Sequence, residues 1–360
     1  MAPLSGCGHG VEFLSCALVQ VRMQFPTGIN RHSLPQQQPT DLVIEQMTEV
    51  IAIFPGQGAQ QVGMLADLAA EYSLIGETFA QASEAVGMDL WALIQDGSAE
   101  TLNLTYNAQP VLLTSSVAIL RLIQAHCPAL QIVAAAGHSL GEYSALVAAD
   151  SIDFVDAVRL VRQRGQLMEQ AVPAGQGGMA AILGLDEATM RQVCDDASAA
   201  GVVEPANFNA PGQIVIAGAM AGIEKAIELA KAAGAKRALP LAVSGPFHSS
   251  LMRAAAEEFK DALAAVQWRA AEFPVYHNVD NAPAPLAEVQ EKLLGQLYSP
   301  VNWTGAVAAV RSKADVAIEF GPGKVLAGLN KRIDKTLATY GTGDLASAQA
   351  VMAMIQGQQA

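Results

Sequence analysis

Two glycines bracket Ser139 where a predicted strand meets a predicted helix. The apolar run Ile132–Ala136 leads into Gly137-His138-Ser139-Leu140-Gly141, and the helical segment Glu142–Val147 follows. A strand that turns this sharply into a helix leaves no room for a Cβ two residues before or after the serine, so both positions need glycine. The serine then lies at a helix N-terminus, where free N–H groups favour a developing negative charge. This pattern predicts an α/β protein with Ser139 as its nucleophile.

Strands and helices continue to alternate along the chain from Val50 onward. Short apolar runs separated by amphipathic stretches are typical of a mostly parallel sheet with helices on both faces. The predicted strands are Val50–Phe54, Ile132–Ala136 and Val316–Glu319, and the predicted helices are Leu65–Glu71, Gln109–His126, Asp153–Gln170, Met252–Val266 and Trp303–Arg311. We therefore predict a large α/β domain from residues 47–173 and 246–360.

Residues 174–245 show a different order of elements. The sequence predicts a strand at Met179–Leu183, a helix at Asp186–Ala199, strands at Val202–Asn207 and Gln213–Ala217, a helix at Gly222–Ala233 and a strand at Arg237–Ala242. The four residues Asn209-Ala210-Pro211-Gly212 have turn chemistry and predict a hairpin between the middle strands. The order βαββαβ is that of a ferredoxin-like subdomain. A cleft between this subdomain and the large domain is the expected place for a substrate.

The first 46 residues differ from the rest of the chain. Pro26, Pro35, Pro39 and the run Gln36-Gln37-Gln38 interrupt any periodicity, so the signals for helix or strand are weak. We predict a loose, non-core N-terminal extension. Because Met47 stands directly before the first strand, residues 1–46 also fit an over-extended start of the chain.

Charge and composition exclude several classes of function. The net charge of −13 and the pI near 4.9 argue against binding to nucleic acid, and no apolar run is long enough to span a membrane. The four cysteines form no Cys-x-x-Cys pair, so neither a zinc site nor a disulfide framework is expected. Gly56-Gln57-Gly58 and Gly321-Pro322-Gly323 both lack parts of the nucleotide-binding motifs. We expect a cytoplasmic, monomeric protein without a cofactor or a metal.

Six motifs occur in one order and at characteristic spacing. They are Phe54-Pro55-Gly56-Gln57-Gly58-Ala59-Gln60, Gly137-His138-Ser139-Leu140-Gly141-Glu142-Tyr143, Arg164-Gly165, Asn207-Phe208-Asn209, Pro246-Phe247-His248 and Gly321-Pro322-Gly323. Together they closely resemble the malonyl-CoA:acyl-carrier-protein transacylases of bacterial fatty-acid synthesis, from about Met47 to the C-terminus. The resemblance implies an α/β-hydrolase-like large domain with a ferredoxin-like subdomain, in agreement with the pattern of elements.

The resemblance also implies a catalytic pair. Ser139 would accept the malonyl group as an ester, and His248 would be the general base that removes the serine proton. A serine hydroxyl is a poor nucleophile at neutral pH, and an imidazole with an ordinary pKa near 6.5 is suited to activate it. In that family a main-chain carbonyl orients the histidine, and this carbonyl falls on Gln296.

Four more residues receive roles from the resemblance. The backbone N–H groups of Gln57 and Leu140 would form the oxyanion hole, one of them coming automatically from the elbow geometry. Arg164 would hold the free malonyl carboxylate, because a planar guanidinium matches a carboxylate with two parallel hydrogen bonds. Phe247 would limit the space beside the malonyl α-carbon and so select the substrate.

The implied reaction is a ping-pong transfer in which malonyl-CoA acylates Ser139 and the phosphopantetheine thiol of acyl carrier protein then takes the malonyl group. Sequence leaves alternatives open. A serine esterase or thioesterase would need an acid such as Asp186 or Glu204 beside His248. A malonyltransferase for a polyketide or malonate-decarboxylase carrier would use the same chemistry, and a non-catalytic carrier-docking subunit would use none. His138 is expected to point away from the nucleophile, and His277 fits a hydrogen-bonded loop histidine equally well.

Overall fold

The structure is a computed structural model that describes residues 47–357. The predicted extension, residues 1–46, lies outside the described residues. The strands are β1 (Thr48–Phe54), β2 (Leu130–Gly137), β3 (Gly177–Leu183), β4 (Val203–Ala210), β5 (Gln213–Ala219), β6 (Arg237–Pro240), β7 (Val275–Tyr276), β8 (Val316–Glu319) and β9 (Ala338–Gly341). The helices are α1 (Ala66–Glu71), α2 (Ser73–Val86), α3 (Leu90–Asp96), α4 (Ala99–Asn103), α5 (Thr105–His126), α6 (Gly141–Ala148), α7 (Phe154–Gln170), α8 (Glu187–Ala197), α9 (Met220–Ala232), α10 (Arg253–Ala264), α11 (Val289–Tyr298), α12 (Trp303–Val310), α13 (Val325–Ile333) and α14 (Leu345–Ile355).

The larger of the two sheets in the described part of the chain is parallel throughout and has the strand order β7-β2-β1-β8-β9. Strands β1 and β2 are neighbours near its centre, and their last residues, Phe54 and Gly137, are paired. The carboxyl ends of parallel strands meet at one edge of a sheet, where ligands usually bind. The loop after β1, with Gln57, and the turn after β2, with Ser139, therefore lie side by side.

Both faces of this sheet are buried, as a parallel sheet requires. Along β1, Val50, Ala52 and Phe54 pack into one apolar cluster, whereas the alternate residues Ile51 and Ile53 pack into another. The strand period of two side chains produces this division. The helices on the two faces fix the sheet edge from which the loops project.

Helix α5 is long and apolar enough to cross a membrane by length and composition alone, but 83% of its apolar window is buried inside the protein. Its side chains lie against α2, α6 and α7, so the apolar surface of the helix is buried within the fold. The buried helix carries Gln109, a polar residue that reaches the cavity described below.

The second sheet is antiparallel and has the order β4-β5-β3-β6. Helices α8 and α9 contribute Met190, Val193 and Ile223 to a separate small core on one of its faces. The predicted βαββαβ order is confirmed. The hairpin turn is tighter than predicted, because β4 runs to Ala210 and only Pro211 and Gly212 connect it to β5.

The predicted strands and helices of the large domain are present with ends that differ by a few residues. Several helices have no counterpart among the predictions: α2, α3, α4, α11, α13 and α14. In α2 the buried face consists of Ile75, Thr78, Phe79 and Ala82, and the small or polar members of this face weaken its hydrophobic periodicity. The division into a large domain and an inserted subdomain stays a prediction.

Candidate active site

The turn between β2 and α6 places Ser139 at the edge of the parallel sheet. Ser139 has φ of 51°, in the left-handed region, which costs a non-glycine residue roughly 1–2 kcal/mol. A Cβ on Gly137 would lie 1.9 Å from the carbonyl carbon of Gly141, and a Cβ on Gly141 would lie 2.0 Å from the Phe54 carbonyl oxygen. Both glycines are therefore required by close backbone approach, and the turn has the geometry of a nucleophile elbow.

His248 lies beside the serine although 109 residues separate the two. Its Nε2 is 2.7 Å from Ser139 Oγ, and its Nδ1 is 2.9 Å from the main-chain oxygen of Gln296. Because a carbonyl oxygen only accepts, Nδ1 carries the hydrogen and Nε2 is left as the acceptor for the serine proton. The structure thus brings the two predicted catalytic residues together, with a carbonyl at the position where a carboxylate orients the histidine of a serine hydrolase.

The environment of His248 disfavours the charged imidazolium. Burial, and second to it the positive charge of Arg164, lower the pKa of His248 to about 3, since a buried cation loses hydration and a like charge repels it. The imidazole is therefore neutral at physiological pH and available as a base.

Arg164 lies inside the protein, although it belongs to a helix with other, solvated arginines. Its side chain is 1% exposed; Nη1 donates to Gln109 Oε1 at 2.8 Å, and Nη2 donates to Gln296 Oε1 at 2.8 Å and to Ser139 Oγ at 3.3 Å. The ring of Tyr143 lies 5.3 Å from the guanidinium carbon. No carboxylate in the described part of the chain forms an ion pair with it. The positive charge next to the nucleophile is thus left for an anionic ligand.

A cavity of 510 Å³ opens over Ser139, with Arg164, His248 and Phe247 in its walls. This volume lies within the usual range for small-molecule sites. Phe247 is 5% exposed, so its ring has little freedom to move aside. The cavity combines an apolar wall, one nucleophile and one cation.

Gln57 and Leu140 also line this cavity. No hydrogen bond between described residues uses the backbone N–H of either one, so both donors remain free for a ligand oxygen. Their positions, after β1 and directly after the nucleophile, are those from which an oxyanion hole is formed in this type of turn.

Comparison with known proteins adds independent evidence. The acyl transferase domain family matches residues 51–360. The malonyl CoA-acyl carrier protein transacylase of Salmonella typhimurium is 50% identical over 311 residues, which are 85% of this chain and 99% of that protein.

The chain belongs to the malonyl-CoA:acyl-carrier-protein transacylase family.

Solved structures of the transacylase family have the same fold. The acyl carrier protein S-malonyltransferase of Vibrio cholerae superposes with a TM-score of 0.81 at 52% identity, covering 84% of this chain and all of that one. A malonyl-transacylase solved in complex with a type II polyketide acyl-carrier protein gives a TM-score of 0.83 at 46% identity, covering 85% of this chain and 100% of that one. The fold shared with this family includes both the parallel sheet with its helices and the separate antiparallel sheet.

The acids considered for a hydrolase triad lie elsewhere. Asp186 caps helix α8 by accepting a hydrogen bond from Thr189 N, and Glu204 Oε2 accepts one from Ser250 N at 2.6 Å. Neither carboxylate bonds to His248. The ring of His138 lies with Nε2 2.8 Å from Asn209 Oδ1 of β4, and His138 also lines the cavity, so its structural role stays a prediction.

Asn278 is a site residue that the sequence analysis missed. Its Oδ1 accepts from the Ser139 N–H at 2.8 Å, and its Nδ2 donates to the Gly137 carbonyl at 2.7 Å. One side chain therefore clamps the elbow on both sides of His138. The available signal was its position, two residues after the short apolar run Val275–Tyr276, since polar residues that follow parallel strands often face the ligand edge.

A buried pair of residues, Glu142 and His277, supports the clamp that Asn278 forms on the elbow. Glu142 and His277 are both almost fully buried, with Glu142 Oε1 2.7 Å from His277 Nδ1. Gln109, whose Oε1 accepts a hydrogen bond from Arg164 Nη1, was also not predicted.

Among the described residues no group of histidine, cysteine, aspartate and glutamate side chains has the arrangement of a metal site.

Proposed function

We propose that this protein transfers the malonyl group from malonyl-CoA to the phosphopantetheine thiol of acyl carrier protein, through an ester on Ser139. The single observation that carries the proposal is the buried guanidinium of Arg164, 3.3 Å from Ser139 Oγ and without a carboxylate partner among the described residues. A general esterase has no need of a buried cation at this position, whereas a substrate with a free carboxylate does.

In the first half-reaction, Ser139 Oγ attacks the thioester carbonyl of malonyl-CoA while its proton passes to His248 Nε2. The carbonyl oxygen becomes an oxyanion held by the N–H groups of Gln57 and Leu140, each worth roughly 3–4 kcal/mol in such sites. The carbon–sulfur bond then breaks, and His248 returns the proton to the CoA thiolate. Arg164 keeps the malonyl carboxylate in place throughout.

The second half-reaction reverses these steps with a new thiol. The phosphopantetheine S–H gives its proton to His248, and the sulfur attacks the malonyl ester. The tetrahedral intermediate collapses, Ser139 Oγ leaves, and His248 reprotonates it. The carbonyl of Gln296 holds the His248 ring in the one tautomer that both half-reactions require.

We further propose that the protein acts as a cytoplasmic monomer and binds neither nucleic acid nor membrane.

The carbonyl beside His248 favours this reaction over the serine esterase. A hydrolase triad uses a buried carboxylate to stabilise the imidazolium, and no carboxylate contacts His248 within the described residues.

The identity of the carrier protein is a separate question, since one similar structure is a complex with a polyketide carrier. The fatty-acid carrier is the proposal, and a polyketide carrier is the alternative.

Intact-protein mass spectrometry tests the proposal. Brief mixing with malonyl-CoA should add one malonyl group to the wild-type protein and none to Ser139→Ala, and a holo fatty-acid carrier should then remove it faster than a holo polyketide carrier. Ser139→Ala should stay folded, because it removes only the hydrogen bonds of Oγ with His248 and Arg164, worth roughly 1–3 kcal/mol together. Stoichiometric malonylation of folded Ser139→Ala would refute Ser139 as the nucleophile.

A further inference from the structure

The side chain of Gln296 has hydrogen-bond partners at both ends of its amide. Nε2 donates to the Ser139 carbonyl at 2.9 Å and to Glu142 Oε2 at 2.7 Å, while Oε1 accepts from Arg164 Nη2 at 2.8 Å. A carbonyl and a carboxylate only accept, and a guanidinium only donates. The partners therefore permit one of the two amide orientations and exclude the other.

Glu142 is the partner that makes this choice firm. It is fully buried on the first turn of α6, where an unpaired carboxylate would be costly. Its two oxygens receive three donors: His277 Nδ1 at 2.7 Å, the Asn278 N–H at 2.9 Å and Gln296 Nε2. It makes no hydrogen bond to Arg164, to His248 or to Ser139 Oγ within the described residues. The charge of Glu142 acts on Arg164 through space, whereas its hydrogen bonds reach Arg164 only through Gln296.

We propose that Glu142 is a positioning residue for recognition of the substrate carboxylate, acting through the side-chain amide of Gln296. The carboxylate holds Nε2 toward itself, so that Oε1 faces Arg164 and fixes the direction of the guanidinium. If that acceptor is removed, Nε2 keeps only the Ser139 carbonyl and a 3.5 Å contact with Asn278 Oδ1, so the amide is held less firmly and Oε1 no longer fixes the guanidinium. The proposal rests on the proposed function, because it requires that Arg164 binds the malonyl carboxylate.

This arrangement predicts an effect on selectivity that a merely structural carboxylate would not have. A displaced Arg164 weakens the hold on malonyl but leaves acetyl without a contact to lose. The ratio of malonyl to acetyl acylation of Ser139, each as kcat/KM from rapid mixing and intact mass spectrometry, isolates this effect. Damage to the elbow itself lowers both rates and cancels in the ratio.

Four variants test the route of coupling. Glu142→Leu keeps the bulk and removes the acceptor, and we expect the ratio to fall by about tenfold, within the range of coupling between contacting residues. Glu142→Gln should keep the ratio of malonyl to acetyl acylation within about threefold of wild type. The carbonyl of the new amide can accept from Gln296, while its NH2 donates to Nδ1 of His277 in the tautomer that carries its hydrogen on Nε2. Gln296→Met keeps the main-chain carbonyl for His248 but removes the amide, and it should lower the ratio as Glu142→Leu does. In the double variant Glu142→Leu/Gln296→Met the ratio should fall no further.

Glu319→Leu is the matched control. Glu319 is also a fully buried carboxylate, but it accepts from the backbone of Leu326 and Ala327 at the start of α13. Its loss should lower the melting temperature and leave the ratio unchanged.

Equal losses for malonyl and acetyl in Glu142→Leu, or an additive fall in the double variant, overturn the proposal. If Glu142→Leu does not fold, a wild-type ratio in folded Gln296→Met overturns it just as well. A wild-type protein that malonyl-CoA fails to acylate overturns instead the proposed function, so the two failures are distinguishable.

Discussion

Truncation of Arg164 to alanine is the sharpest test of the proposed carboxylate site. The guanidinium is buried and donates to Gln109, Gln296 and Ser139 Oγ. In the variant a bound malonyl carboxylate would lie in the same cavity without a partner. Breaking a buried ion pair from one side costs about 3–5 kcal/mol, so malonyl transfer should fall by about 10²- to 10³-fold or more.

Acetyl-CoA should respond differently to the same change. It has no carboxylate to leave unpaired, so its slow acylation of Ser139 should persist. The rate can even rise, because Arg164 is one of the two main causes that lower the pKa of His248, and its loss makes the imidazolium formed during attack less costly. Arg164→Lys should recover only part of the malonyl rate, since an ammonium keeps the charge but loses the two-pronged geometry.

Arg159→Ala supplies a matched control on the same helix. The Arg159 side chain is 57% exposed and forms a surface pair with Asp156, and such pairs contribute little. Rates of Ser139 acylation with both thioesters should therefore match wild type. Because Arg164→Ala leaves two buried amide oxygens without a donor, its melting temperature should fall, and rates are compared well below it. Equal losses for malonyl and acetyl would refute the reasoning and make Arg164 a structural residue.

Three further predictions follow from the geometry of the cavity and the elbow. Phe247→Ser should raise the use of methylmalonyl-CoA relative to malonyl-CoA by up to the ~1–3 kcal/mol that one methyl group can discriminate; an unchanged ratio of acylation rates would place selection elsewhere. The acid limb of kcat/KM follows the pKa of His248 in the free enzyme, because a protonated imidazole cannot accept the serine proton. With that pKa lowered to about 3, the limb should lie well below pH 6.5 and should move to higher pH in Arg164→Ala assayed with acetyl-CoA; a wild-type limb near pH 6.5 contradicts this. Asn278→Ala removes two hydrogen bonds from the elbow, worth roughly 1–3 kcal/mol together, and should slow Ser139 acylation by malonyl-CoA and acetyl-CoA about equally, whereas a loss confined to malonyl would assign Asn278 to the carboxylate site.

The elbow could be predicted from the sequence because its causes are local. Gly137 and Gly141 are required by backbone contacts within a few residues of Ser139 and with the adjoining strand, and such contacts leave a short, recognisable spacing. The βαββαβ order of the second sheet is likewise recorded in periodicity and turn residues. The position of Gln296 beside His248 came from the resemblance and not from any pattern in its own segment.

The polar network behind the nucleophile could not be predicted in the same way. Asn278 and Glu142 meet across 136 residues, and Gln296 reaches the Ser139 carbonyl across 157. Hydrophobic periodicity indicates which face of a helix is buried, but it does not indicate that a buried position will hold a charge. Arg164 is the clearest case, because its burial depends on acceptors from α5 and α11 that only the folded chain provides.

The distribution of charge in the site explains why a neutral carbonyl at His248 suits a substrate with a carboxylate. An acid beside His248 would stabilise the imidazolium, but it would also lie close to Arg164, pair with it and repel the malonyl group. In the structure the buried carboxylate of Glu142 is separated from Arg164 by the amide of Gln296, and Arg164 has no ion-pair partner among the described residues. Burial, and second to it this unpaired charge, lower the pKa of His248 and make it weakly basic. A bound malonyl carboxylate offsets the charge of Arg164 and so removes one cause of the lowered pKa, which means that the substrate that fits the site also strengthens its base. We therefore expect the acid limb of kcat, which reports the bound complex, to lie at higher pH with malonyl-CoA than with acetyl-CoA; coincident limbs would show that the charge of Arg164 does not reach His248.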